Sequence, residues 1–91
     1  VHKGTIENAY SILNGEYEII EAEIIETSEL INKELKNANL PDEIKIGAIL
    51  RDNNVIIPRS SFIFKKKDVV VFLTKKDFLP VVENMFRISS I

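Results

Sequence analysis

"AILRDNNVIIP", residues 48–58, sets two apolar, partly β-branched runs on either side of Asp52, Asn53 and Asn54. Those three residue types tolerate positive φ and bond their own backbone, so the stretch reads as a tight β-hairpin. Pro58 has no N–H to give a ladder and closes the second strand. Arg51, the last residue before the turn, has two readings. It is a group that holds a ligand, or it is half of a surface ion pair with Asp52, worth roughly 0–1 kcal/mol.

Working outward from the hairpin, "SFIF" at 61–64 and "DVVVFL" at 68–73 read as a second strand pair joined around Lys65 to Asp68. In "TKKDFLPVVENMF", residues 74–86, Phe78, Val82, Met85 and Phe86 recur at helical spacing, and Pro80 is acceptable in a helix that starts near Asp77. Upstream, a helical wheel scatters the five glutamates of "EYEIIEAEIIE" (16–26) all round its axis, whereas a strand gathers them mostly on alternate positions, so a strand is expected. The pattern slips at Ile19-Ile20 and Ile24-Ile25, which implies a bulge or a strand partly covered on both faces. "SELINKELKNANLP" (28–41) predicts a helix over Ser28–Asn37, and Ile6, Ala9, Tyr10 and Leu13 predict a short helix stopped by Gly15. The expected architecture is α+β, a small, mostly antiparallel sheet with flanking helices. Residues 1–15 are read as a linker helix from a preceding domain, and 16–91 as the domain itself.

With 91 residues the chain has a thin core, yet 45% of it is apolar, including fifteen isoleucines and seven valines. Some strand surface is therefore expected to meet another copy, and an oligomer is predicted. A net charge of -2 with scattered basic residues argues against nucleic acid, which needs a concentrated cationic face. Cysteine is absent, removing disulfide and thiolate chemistry and favouring cytoplasm. The longest apolar run, Val69–Leu73, is far short of the roughly 20 residues that span a bilayer.

Catalytic chemistry finds little support. His2 is the sole imidazole, so nucleophile–His systems lack a base, and "DNN" at 52–54 lacks the glycine and distal glutamate of a calcium loop. Gly4, Gly15 and Gly47 match neither a Walker loop nor a dinucleotide turn, so no NAD, ATP or metal is expected on this chain. The glutamates of 16–26 read as a solvated face, Lys65–Lys67 as a solvated turn, and the phenylalanines as core.

"EIKIGAILRDNNVIIPRSSFIFKKKDVVVFL" (43–73) resembles the C-terminal regulatory domain of potassium-conductance regulators, the RCK_C family, and within it the TrkA_C branch of Trk-type potassium uptake systems. The matching pattern is apolar-Gly-Ala-Ile-apolar-Arg, a short polar turn, three apolar residues and Pro, then an Asp that opens a Val-rich strand. The resemblance runs from about Tyr17 to Phe86. It implies a non-enzymatic cytoplasmic module, peripheral to the inner face of the plasma membrane and attached to a Rossmann-type domain that binds NAD. Its partners would be a second copy and a membrane potassium transporter subunit. In some relatives the dimer cleft takes a ligand such as cyclic di-AMP. By that analogy Ile49, Arg51, Ile57 and Pro58 line or border the cleft, with the guanidinium gripping a phosphate. Two rival readings remain, a domain of another transporter or exchanger and a purely structural dimerisation module. One departure is Lys67, which stands where the family commonly has Gly. That turn must change shape or hold a non-glycine residue in the left-handed region at a cost of about 1 kcal/mol.

Overall fold

The computed structural model describes residues 6–86; His2, the sole imidazole, and residues 1–5 of the expected linker lie outside them. Five strands form one antiparallel sheet: β1 (Ile6–Ile12), β2 (Tyr17–Glu23), β3 (Ile44–Arg51), β4 (Asn54–Ile56) and β5 (Val69–Lys75), in the spatial order β1-β2-β5-β3-β4. One α-helix, α1 (Leu79–Phe86), follows β5 through a single 3₁₀ turn. The α+β class and the antiparallel sheet agree with expectation.

The central hairpin is as read. β3 and β4 pair Ile49 with Ile56 and Arg51 with Asn54, and the turn residues Asp52 and Asn53 have φ of 52° and 65°. Two successive positive φ values match the right-handed twist of the strands they join, which is why Asp and Asn are suited here. Helix α1 also forms as expected, with Pro80 in its first turn, where no helical N–H bond is lost. Lys67 takes the left-handed option, at φ 78°.

Three expected elements differ. Residues 6–12 are a strand, not a helix: Leu13, Asn14 and Gly15, all at positive φ, fold β1 back on β2. A short isolated helix is marginal in water, whereas this segment satisfies its backbone on the open edge of β2. The helix expected over Ser28–Asn37 is a series of turns ending in a 3₁₀ turn, Leu35–Asn37. Asn32 sits at φ 67°, and the backbone is instead bonded across to the 60–64 segment, Asn32 N–H to Phe64 O at 2.9 Å and Leu35 N–H to Phe62 O at 2.7 Å. "SFIF" thus makes only a bridge, Glu34 to Ile63, and β5 pairs with β2 and β3 rather than with it.

These connections all lie over one face of the sheet. Ile20 and Ala22 of β2, Val70 and Phe72 of β5 and Ile49 of β3 point into a core closed by Leu30, Phe64, Val82, Met85 and Phe86. Phe86 stacks on Phe72 with ring centres 5.2 Å apart. Ser28 ties the loop to the helix, its hydroxyl donating to the Met85 carbonyl at 2.6 Å and accepting the Leu30 N–H at 3.1 Å. The slip at Ile19-Ile20 arises because Ile20 is fully buried and Ile19 looks out from the other face.

Candidate functional site

Arg51 ends β3 and Asp68 immediately precedes β5, and the register Leu50↔Val69 sets the two side by side. The guanidinium forks onto the carboxylate, Nε to Oδ1 and Nη2 to Oδ2, both at 2.7 Å. Nη2 also donates to the Ile63 carbonyl at 2.9 Å, and Cζ lies 4.8 Å from the centre of the Phe62 ring. Oδ2 of Asp68 further accepts the Lys65 N–H at 2.8 Å. One arginine thereby pins three chain segments: the end of β3, the 62–65 loop and the start of β5. The hydrogen bonds to Asp68 hold the Arg51 pKa above its ordinary value, burial works against them, and the nearby charges of Asp68 and Asp52 add to the rise.

The Asp68 side chain is 2% exposed and that of Arg51 27%. A carboxylate buried that deeply is stable only while paired and hydrogen-bonded. The partner of Arg51 is thus Asp68, 17 residues away, and the weak surface pair with Asp52 is not what holds it. The signal for Asp68 was in the sequence, as the one acid opening an otherwise apolar strand, but only the β3–β5 register identifies its partner.

Of the other residues expected at a ligand cleft, Ile49 is fully buried in the core, Ile57 is 72% exposed just beyond β4, and Pro58 is half-buried. Beside the hairpin turn, Leu50, Val55 and Val69 floor an open hollow of about 500 Å³, rimmed by Asp52, Asn54 and Lys67. Among the described residues no three His, Cys, Asp or Glu side chains cluster closely enough to hold a metal ion. No helix in this range is long and apolar enough to cross a membrane.

Residues 19–87 match the family model described as the TrkA-C domain. Among similar proteins, the Trk system potassium uptake protein TrkA of Azorhizobium caulinodans is 36% identical over 89 residues, covering 98% of this chain and 19% of that protein. The TrkA of Haemophilus influenzae is 34% identical over 94 residues, covering 99% of this chain and 20% of that protein. The chain thus spans about a fifth of the length of these relatives. A solved structure described as "Structure of RCK domain with cda" superposes with a TM-score of 0.58 at 20% identity, over 74% of this chain and 97% of its own, and supports the fold. With a five-stranded antiparallel sheet closed by one helix among the described residues and a family match covering most of its length, this chain belongs to the TrkA-C domain family.

Proposed function

We propose that this chain is a non-enzymatic regulatory domain of a Trk-type potassium uptake system, acting at the cytoplasmic side of a membrane transporter. The observation that carries this reading is the TrkA-C match over residues 19–87, supported by TrkA relatives that align along nearly the whole chain. Its mechanism would be mechanical. Two copies paired through a common surface move the domains attached to them together, and a ligand that prefers one arrangement shifts the population of the other. NAD would belong to a neighbouring dinucleotide-binding domain. A small effector, such as the cda named for the RCK-domain structure, would meet this domain near Arg51, Ile57 and Pro58. Nη1 of Arg51 has no partner among the described residues and is the edge left for a phosphate.

The structural-module reading has one observation in its favour: Nε and Nη2 of Arg51 are already committed to Asp68 and Ile63. Titration of the folded chain with cyclic dinucleotides and adenine nucleotides, followed by thermal shift and calorimetry, separates the two. A saturable response supports an effector; a flat response leaves dimerisation as the role. For the transport assignment, the test is rubidium uptake by cells carrying full-length protein with residues 19–87 intact or deleted. Uptake unchanged by the deletion would overturn it.

A further inference from the structure

We propose that the Asn14-Gly15 turn is a site of covalent change in the folded chain: the Asn14 amide leaves as ammonia, a cyclic imide opens to aspartate or isoaspartate, and the isoaspartyl form releases β1 from the sheet. Neither step depends on a regulatory ligand or a second copy.

Of the eight asparagines, Asn14 is the one followed by glycine. Ring closure needs the backbone nitrogen of the next residue to reach Cγ of the asparagine, and a Cβ on that residue obstructs the approach. Gly15 has none, and apart from its chain neighbours no heavy atom lies within 4 Å of where a Cβ would sit. Asn14 is exposed at the tip of the turn, at φ 57° and ψ 32°. Its side-chain amide has no partner among the described residues, whereas those of Asn37 and Asn54 donate to Glu34 and to the Asp52 carbonyl. The attack requires ψ of Asn14 to rotate well away from 32°, and strain favours that opening: the bulky Leu13, 65% exposed, is held at φ 51°. An open hollow of about 480 Å³ beside the turn gives water access. Asn53 is the contrasting case. It too lies in a turn at positive φ, 65°, but the next residue, Asn54, carries a Cβ and is held in β4 by its pairing with Arg51.

The Gly15 nitrogen gives its proton to solvent base and bonds to Asn14 Cγ. The bond from Cγ to the amide nitrogen breaks, that nitrogen takes up a proton, and ammonia departs. Water then opens the ring on either side of the Gly15 nitrogen. Cleavage at Cγ leaves aspartate; cleavage at the main-chain carbonyl leaves isoaspartate, with the chain running through the former side chain. Each product adds one negative charge to a chain of net charge -2.

The two products differ in their effect on the hairpin. Aspartate tolerates positive φ as asparagine does, so the turn keeps its shape. Isoaspartate adds a carbon to the main chain between Leu13 and Glu16, where the Glu16 N–H bonds the Leu13 carbonyl at 3.1 Å and Ile12 pairs with Tyr17. β1 is an outer strand bonded to β2 alone, with Tyr10 and Ile12 exposed, so a register spoiled at the turn leaves little to hold it.

Incubation of the 91-residue chain in mildly alkaline buffer, native and unfolded in urea, tests this. Peptide mapping reads the conversion, and methyl transfer from labelled S-adenosylmethionine by a protein isoaspartyl methyltransferase reads the isoaspartyl share. In the native chain Asn14 is expected to convert about tenfold faster than Asn53, at a rate within about threefold of that in urea. Gly15→Ala should slow conversion about tenfold. Asn14→Gln, an exposed change that leaves the backbone alone, should remove methyl acceptance at the turn. In hydrogen exchange, the isolated isoaspartyl form should lose protection in β1 about tenfold or more while β3 and β5 keep theirs, and the aspartyl form should match the wild type. A native chain that resists conversion while the urea-unfolded chain converts overturns the site, because the fold then protects the turn. Equal conversion at Asn53 overturns the role given to Gly15. Conversion with β1 still protected in the isoaspartyl form overturns the release of the strand.

Discussion

Arg51 shows how a residue type can be read correctly and its partner wrongly. A guanidinium at a strand end suits bidentate recognition of an oxyanion, and it finds one, but the oxyanion is the chain's own Asp68 carboxylate. Arg51→Ala would strip a carboxylate that is 2% exposed in the intact pair of its cationic partner, with the Lys65 N–H as its remaining hydrogen-bond donor among the described residues, so a loss of about 3 kcal/mol is expected in urea unfolding. Arg51→Lys should fall between, because an ammonium cannot fork. The pKa of Arg51 is raised in the fold, so the stabilisation it contributes is complete below its ordinary value and is lost only as pH climbs through the folded value, in strong alkali. Between pH 6 and pH 9 the difference in stability between wild type and Arg51→Ala should stay flat, about 3 kcal/mol at each pH. Lys67 offers the opposite case. It is exposed and held at φ 78°, so Lys67→Gly is expected to stabilise the protein by about 1 kcal/mol, seen as a higher midpoint of thermal unfolding.

Elements were legible where local chemistry alone decides them. The β3–β4 hairpin needs only two residues that accept positive φ between β-branched runs, and α1 needs only helical spacing with proline at its start. The segments 6–12 and 28–37 carry helical spacing as well, but there the deciding partner lies elsewhere in the chain: the free edge of β2 for the first, the 60–64 backbone for the second. Ser28 is the joint of that second arrangement, bonding both the Leu30 N–H and the Met85 carbonyl from a buried position. Ser28→Ala is expected to cost about 1–2 kcal/mol in chemical denaturation, since both groups lose a partner away from water. Gly47 sits at the register shift of β3 at ordinary φ, and an added Cβ would meet the Val71 carbonyl at 3.7 Å. Gly47→Ala should therefore fold normally, with stability within about 0.5 kcal/mol of wild type.

Over the whole molecule, one layer of helix and loop covers one side of one sheet, so the core has no independent parts. Phe86 joins the helix to β5 through its stack on Phe72, and Phe86→Ala is expected to cost about 3–5 kcal/mol, a large share of the stability of a domain this size. Its far- and near-UV circular dichroism melts should still coincide, at a clearly lower temperature. The sequence by itself determined the antiparallel α+β class, the central hairpin, the last helix and the excess of apolar strand surface, because each follows from side-chain periodicity and turn chemistry within a few residues. The tertiary structure alone decided the order of the strands, the fate of the two segments read as helices, the pairing of Arg51 with Asp68 and which face of the sheet stays open. Those depend on backbone partners and registers many residues apart, and the spacing of side chains along a single segment carries no record of them.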